Sequence, residues 1–82
     1  MLKSEMSCVI VVYYADGTVD KVYPVGSKEV MESIDAWNQS LYFGDIIKFE
    51  VVYEAVVNNK NYRYTYTYTE YGLEPFVNTE IN

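Results

Sequence analysis

The side chains that could take part in chemistry are few in this 82-residue chain, and their spacing matches no familiar active site. Histidine is absent, which removes the usual general base near neutral pH and every Ser–His or Cys–His nucleophile pair. Cys8 is the single cysteine, so it supplies neither an internal disulfide nor a zinc site by itself. The glycines are scattered singly, and no phosphate-binding loop is predicted. We therefore expect no enzyme, no metal site and no cofactor.

Carboxylates are the remaining candidates for a functional site. Glu50 and Glu54 lie four residues apart in a predicted strand, so they point the same way, from a polar face without an obvious cleft. Glu29, Glu32 and Asp35 are spaced by three in a predicted helix, which brings their Cβ atoms within about 5–6 Å of one another. Like charges at this spacing slightly destabilise a helix. The pattern is typical of a solvated helix face, and it also fits a negative strip that binds a basic partner.

The first element expected to position these residues is a β-hairpin. Residues 7–14 form a β-branched and aromatic run, and a second strand is predicted from Thr18 to Tyr23. Asp16-Gly17 predicts a two-residue turn between them, which pairs Tyr14 with Val19. The core side of this hairpin is then expected to comprise Ile10, Val12, Tyr14, Val19 and Tyr23.

A helix is predicted next, with Ser27 as its cap and Gly44 at its end. Apolar residues recur at offsets of four, three and four, which gives one apolar stripe along the helix. The members of the stripe, with Met31 beside them, are Val30, Ile34, Trp37 and Leu41.

A second hairpin follows and shows the clearest alternation in the chain. A strand is predicted from Asp45 to Val57, a turn at residues 58–61, and a last strand of alternating tyrosine and polar residues. A four-residue loop pairs Val57 with Tyr62 and places four tyrosines on the core side: Tyr62, Tyr64, Tyr66 and Tyr68. The tail 71–82 has no clear period, and it is expected either to dock on the domain or to be loose.

These elements predict an α+β fold of the form ββαββ, in which one helix packs on one face of a four-stranded sheet. Residues 1–82 are expected to form a single domain with residues 1–6 loose. Placing the apolar strand 7–14 beside the last strand predicts the spatial order 2-1-4-3. This layout, together with a last strand of alternating threonines and aromatics ending Thr69-Glu70, resembles the β-grasp folds, including the immunoglobulin-binding domain of protein G. The resemblance is architectural and implies no function.

A formal charge of −6 bears on the partners of the chain. It repels phosphate backbones and anionic lipid, so we expect no direct nucleic-acid binding and no membrane binding. It suits a basic partner, and it also serves solubility. A lone cysteine and an N-terminus without the hydrophobic stretch of a signal peptide predict a cytoplasmic protein.

The sheet face away from the helix is predicted to carry an apolar strip among threonines and charges, which is typical of a protein contact. The strip is expected to comprise Val9, Val11, Tyr13, Val22, Val52 and Val56. Three fates are open for it: packing against a second copy, binding a different protein, or cover by the tail.

We therefore expect a non-enzymatic protein-binding module. Its sharpest form is an inhibitor that occupies the basic nucleic-acid-binding surface of a larger complex. In size and charge the chain resembles small acidic proteins of phages and mobile elements that inhibit restriction or CRISPR systems. The alternative is a structural or assembly subunit that oligomerises through the apolar sheet face or an edge strand. The expected contact residues are Glu29, Glu32, Asp35, Glu50, Glu54, Tyr13 and Val11.

Overall fold

A computed structural model describes residues 7–81 and confirms the α+β class, with one helix packed on a mostly antiparallel sheet. The sheet has six strands, so the prediction of four strands was wrong. The prediction for residues 1–6 lies outside the described part of the chain. In chain order the elements are β1 (Ser7–Tyr14), β2 (Val19–Val22), α1 (Gly26–Phe43), β3 (Ile46–Val57), β4 (Lys60–Thr69), β5 (Gly72–Leu73) and β6 (Val77–Ile81).

The strand order is β2-β1-β3-β4-β5, with β6 also paired to β4, and the predicted order 2-1-4-3 was wrong. β1 pairs with β3, which sets Ile10 opposite Val51 and Val12 opposite Phe49. The far edge of β4, which a β-grasp domain would pair with its first strand, is occupied by β5 and β6. The tail therefore closes the edge on which the predicted order depends.

The first hairpin turns through three residues instead of two. Tyr14 N–H donates to the Thr18 carbonyl at 2.9 Å, and Gly17, with φ 93°, donates to the Tyr14 carbonyl at 3.0 Å. Asp16 Oδ1 accepts from both the backbone N–H (2.9 Å) and the hydroxyl (2.6 Å) of Thr18, which favours this turn.

The longer turn shifts the register of β2 by one residue, and a one-residue shift moves every side chain to the other face. Ile10 now lies opposite Val22, which packs against the core. Val19 and Tyr23 are 53% and 67% exposed. Their predicted core positions were wrong, and so was the place of Val22 on the opposite face.

The second hairpin turns through Asn58-Asn59, whose φ angles are 53° and 65°. Positive φ at both positions is the type I′ geometry that joins two strands with the right twist. Val57 therefore pairs with Lys60 and Ala55 with Tyr62, two residues away from the predicted pairing. The predicted pairs were therefore wrong. A shift of two residues nevertheless keeps every side chain on its predicted face. The face that carries Tyr62, Tyr64, Tyr66 and Tyr68 is here called the tyrosine face, and the threonines of β4 lie on the other face.

The helix begins one residue before the predicted Ser27 and has no side-chain cap; instead the Glu29 carboxylate accepts a hydrogen bond from Val25 N–H. It ends at Gly44 as predicted, with φ 83°. Gly44 and Asp45 donate to the carbonyls of Leu41 and Ser40 at 3.1 and 3.0 Å, which is a Schellman motif.

The core lies between α1 and the sheet at one end of the tyrosine face. Phe49 stacks on Tyr68 with ring centroids 4.6 Å apart. The rings of Trp37 and Tyr14 pack in a T-shaped arrangement with centroids 6.3 Å apart. Met31, predicted to flank the apolar stripe, is 60% exposed. The buried members of the main cluster are Ile10, Val12, Leu41, Ile46, Phe49 and Val51, and Ile34, Trp37, Tyr66 and Tyr68 pack against it.

Candidate binding surfaces

The face of the sheet opposite α1, here called the open face, is covered by no other helix or strand of residues 7–81. Strand alternation and register assign its side chains. Its central strands β1 and β3 contribute half-buried valines, and β4 contributes threonines. The apolar members on β1 and β3 are Val9, Val11, Tyr13, Val52 and Val56, and the charged members are Lys21, Lys48, Glu50, Glu54 and Arg63.

Two of the predicted contact residues are joined directly on this face. The Tyr13 hydroxyl donates to Glu50 Oε1 at 2.9 Å, and Lys48 Nζ lies 4.6 Å from the centroid of the Tyr13 ring. The hydrogen bond to Glu50 raises the pKa of the Tyr13 phenol, with burial and the negative charge adding to the effect. Val11 lies opposite Glu50 on the neighbouring strand, so three of the predicted residues form one group.

Glu54 is occupied by a different partner. Arg63 donates to Glu54 Oε2 through Nε at 3.1 Å and Nη2 at 2.9 Å. Both side chains are about half exposed, so the pair is expected to contribute only about 0–1 kcal/mol to stability. Beside it, Glu54, Val9, Val52 and other residues line a shallow depression of about 160 Å³.

Cys8 also lines this depression, although its partly buried side chain packs against the core. Burial raises the pKa of the Cys8 thiol, which keeps it protonated near neutral pH. The depression therefore contains no activated nucleophile.

The three helix carboxylates lie on the solvent side of α1, here called the anionic side. Glu29, Glu32 and Asp35 are all exposed. Glu29 accepts from the backbone at the start of the helix, and Glu32 Oε2 lies 3.9 Å from Lys28 Nζ in an exposed ion pair. The sheet separates these three carboxylates from Glu50 and Glu54, and the predicted contact residues consequently form two surfaces on opposite sides of the protein.

Charge is unevenly distributed between the two surfaces. The open face carries three cations and two carboxylates, and four of these five groups contact one another or Tyr13. The net charge of the whole chain is −6, so its excess of carboxylates lies off the open face. The anionic side of α1 contributes three of them against the single cation Lys28.

The tail forms a surface that the sequence did not predict. β5 and β6 extend the sheet at the edge of β4, so residues 72–81 do not cover the open face. Phe76, half exposed, stacks on Tyr66 at the margin of the core, with ring centroids 5.1 Å apart, and its centroid lies 6.3 Å from that of Tyr64, which is outside the core cluster. β5 and β6 have only two and five residues, which is too short for an alternation of apolar and polar side chains to be recognised in the sequence.

Within residues 7–81, no group of three or more His, Cys, Asp or Glu side chains is placed to hold a metal ion. The helix in the same range is not long and apolar enough to cross a bilayer. No protein-family model matches this chain, no curated protein matches it, and no solved structure matches its fold. The two surfaces are therefore the features of this chain from which its function is inferred.

Proposed function

We propose that this chain is a non-enzymatic protein-binding module that presents the anionic side of α1 to a basic surface on a larger protein. The observation that supports it is the placement of charge: Glu29, Glu32 and Asp35 are exposed together on one helix, while the charges of the open face are nearly balanced. In its sharpest form the partner is a nucleic-acid-handling complex of a host defence system, and the protein is an inhibitor of the type carried by phages or mobile elements.

The helix suits this role because one side of it is buried and its last turn is closed by hydrogen bonds. Val30 and Leu41 are buried against the sheet, and the Schellman motif at Gly44 closes the last turn. A carboxylate row on a fixed helix loses little conformational entropy when it binds. The net charge of −6 adds long-range attraction to a basic surface and speeds association.

Glu50 and Glu54 take a different place in this proposal. They lie on the opposite side of the sheet and are engaged by Tyr13 and Arg63. A partner that contacts α1 reaches them only if it surrounds the domain. The primary contacts are therefore the three helix carboxylates.

The test is a triple charge reversal, Glu29→Lys, Glu32→Lys and Asp35→Lys, in the intact chain. The partner is first captured from host cells with the unmodified protein and identified, and its Kd is then measured by titration. If each reversed contact costs about 1 kcal/mol, binding should weaken on the order of 100-fold. Added salt and the partner's own nucleic acid should both compete with the unmodified protein.

The matched control is Glu70→Lys, Glu74→Lys and Glu80→Lys, which changes the net charge equally in another part of the fold. The control variant should associate more slowly, because its smaller net charge attracts the basic partner less strongly. It should retain most of its affinity. Equal losses in both variants would mean that only net charge matters. Unchanged affinity in the helix variant would eliminate the proposal.

A further inference from the structure

We propose that two copies of this chain pack their open faces together as a twofold-symmetric dimer. This inference is independent of the proposed function, because it uses the opposite side of the protein. The occupant of the open face is thus a second copy, and the first reason is the apolar strip. Val9, Val11 and Val52 lie on the two central strands, flanked by the threonines of β4. Two sheets that share such faces form a common two-layer core.

The second reason is that four of the five charged groups of this face already contact one another or Tyr13. Tyr13 donates to Glu50, and Arg63 donates to Glu54. Burying groups that keep their hydrogen bonds costs far less than burying unpaired ones. With both cations and carboxylates present, the face is also suited to an isologous contact, in which each patch meets its own copy.

The third reason is electrostatic and points to a second copy as the occupant. Two copies that each carry −6 repel one another at most orientations. The open face carries three cations and two carboxylates, so two copies that meet there bring together an excess of only one cation each. A strongly basic partner would instead be drawn to the anionic side of α1.

The size of the face bounds the strength of the dimer. The described strands comprise 41 residues, and at about 3.3 Å per residue and about 4.8 Å between strands the sheet presents roughly 650 Å² per copy. Standard stable interfaces bury about 800 Å² per partner, so a reversible dimer with a micromolar Kd is expected.

The experiment is sedimentation equilibrium of the full chain at concentrations spanning the micromolar range. Val11→Glu should weaken dimerisation by about 100-fold, because it places a carboxylate opposite Glu50 at the centre of the face. Met31→Glu is the matched control, since it adds the same charge at a residue that is 60% exposed on the helix. It should change Kd by no more than about threefold.

A gentler variant guards against loss of fold. Val52→Thr retains a β-branched residue suited to a strand. Circular dichroism should show an intact fold, and sedimentation equilibrium should show a weaker dimer. Salt should leave the dimer unchanged or strengthen it, because screening removes repulsion between copies. The helix triple variant should also dimerise, so this test and that of the proposed function fail separately.

Three outcomes would overturn the proposal. One is a monomer at every concentration. Another is a dimer that Met31→Glu disrupts as strongly as Val11→Glu. The third is a dimer that tolerates both Val11→Glu and Val52→Thr, which would indicate pairing through an edge strand.

Discussion

Tyrosine is the residue that most distinguishes this chain, with ten among 82. Tyr53 and Tyr68 pack against the core, and burial is the main cause of their raised pKa values. The pKa of Tyr13 is raised chiefly by its hydrogen bond to Glu50. In all three cases the folded protein favours the neutral phenol.

This preference makes stability depend on alkaline pH. The unfolded chain releases these phenolic protons near a pKa of about 10, while the folded chain retains them to higher pH. The stabilisation is therefore fully present below pH 10 and is lost as the pH rises through the raised values. Urea unfolding at a series of alkaline pH values should show a falling free energy of unfolding.

Two single substitutions assign the effect to buried phenols. Tyr53→Phe should remove part of the alkaline loss of stability, whereas Tyr71→Phe, at a residue 91% exposed, should leave the loss unchanged. A free energy of unfolding that stayed constant across this pH range in the unmodified protein would contradict the argument.

Turns decide how the elements of this fold meet. The three-residue turn after β1 exchanges the faces of β2, whereas the two-residue turn after β3 leaves the faces of β4 as they were expected. The difference follows from parity, because side chains alternate with a period of two along a strand. A turn that is longer by one residue thus rearranges more of the structure than one that is shorter by two.

The type I′ turn depends on residues that tolerate positive φ. Asn59 has φ 65°, a conformation that costs most L-residues about 1–2 kcal/mol and that asparagine tolerates better. Asn59→Ala should lower the free energy of unfolding by about 1 kcal/mol, and Asn59→Gly should be neutral or stabilising. Urea unfolding with a constant m-value measures both.

Asn61→Ala is the control, because Asn61 lies in β4 and does not have positive φ. It should change stability by less than about 0.5 kcal/mol. Equal costs at positions 59 and 61 would show that the turn does not require left-handed backbone.

The whole molecule is elongated, with principal extents of 42 × 23 × 21 Å. β3 alone, with 12 residues at about 3.4 Å each, spans roughly 40 Å, so the second hairpin sets the long axis. α1 has 18 residues and a length of about 27 Å, so it is shorter than β3. The core between α1 and the sheet occupies one end of the tyrosine face. Toward the other end of this face, Phe76 packs against the tyrosines of β4.

The net charge of −6 makes the stability of this protein depend on salt. Raising the ionic strength from about 0.01 to 0.15 M shortens the screening length from about 30 to 8 Å, which weakens repulsion within a chain of charge −6. Tm should therefore rise with salt at a protein concentration low enough to keep the chain monomeric. A gain of 1 kcal/mol corresponds to about 4–8 °C for a domain of this size.

Neutralising three carboxylates between residues 70 and 80, by Glu70→Gln, Glu74→Gln and Glu80→Gln, should halve the net charge and reduce this salt response. A Tm that fell with salt would mean that the exposed pairs Arg63–Glu54 and Lys28–Glu32 outweigh the repulsion.

Local pattern in the sequence determined which residues form the helix and the main strands, which residues line each face of the second hairpin, and where the helix ends at Gly44. Those features follow from side-chain periodicity and from backbone preferences that act over a few residues. Only the tertiary structure decided the strand order, the register of β2 and the addition of the tail to β4, because each depends on pairing between distant segments.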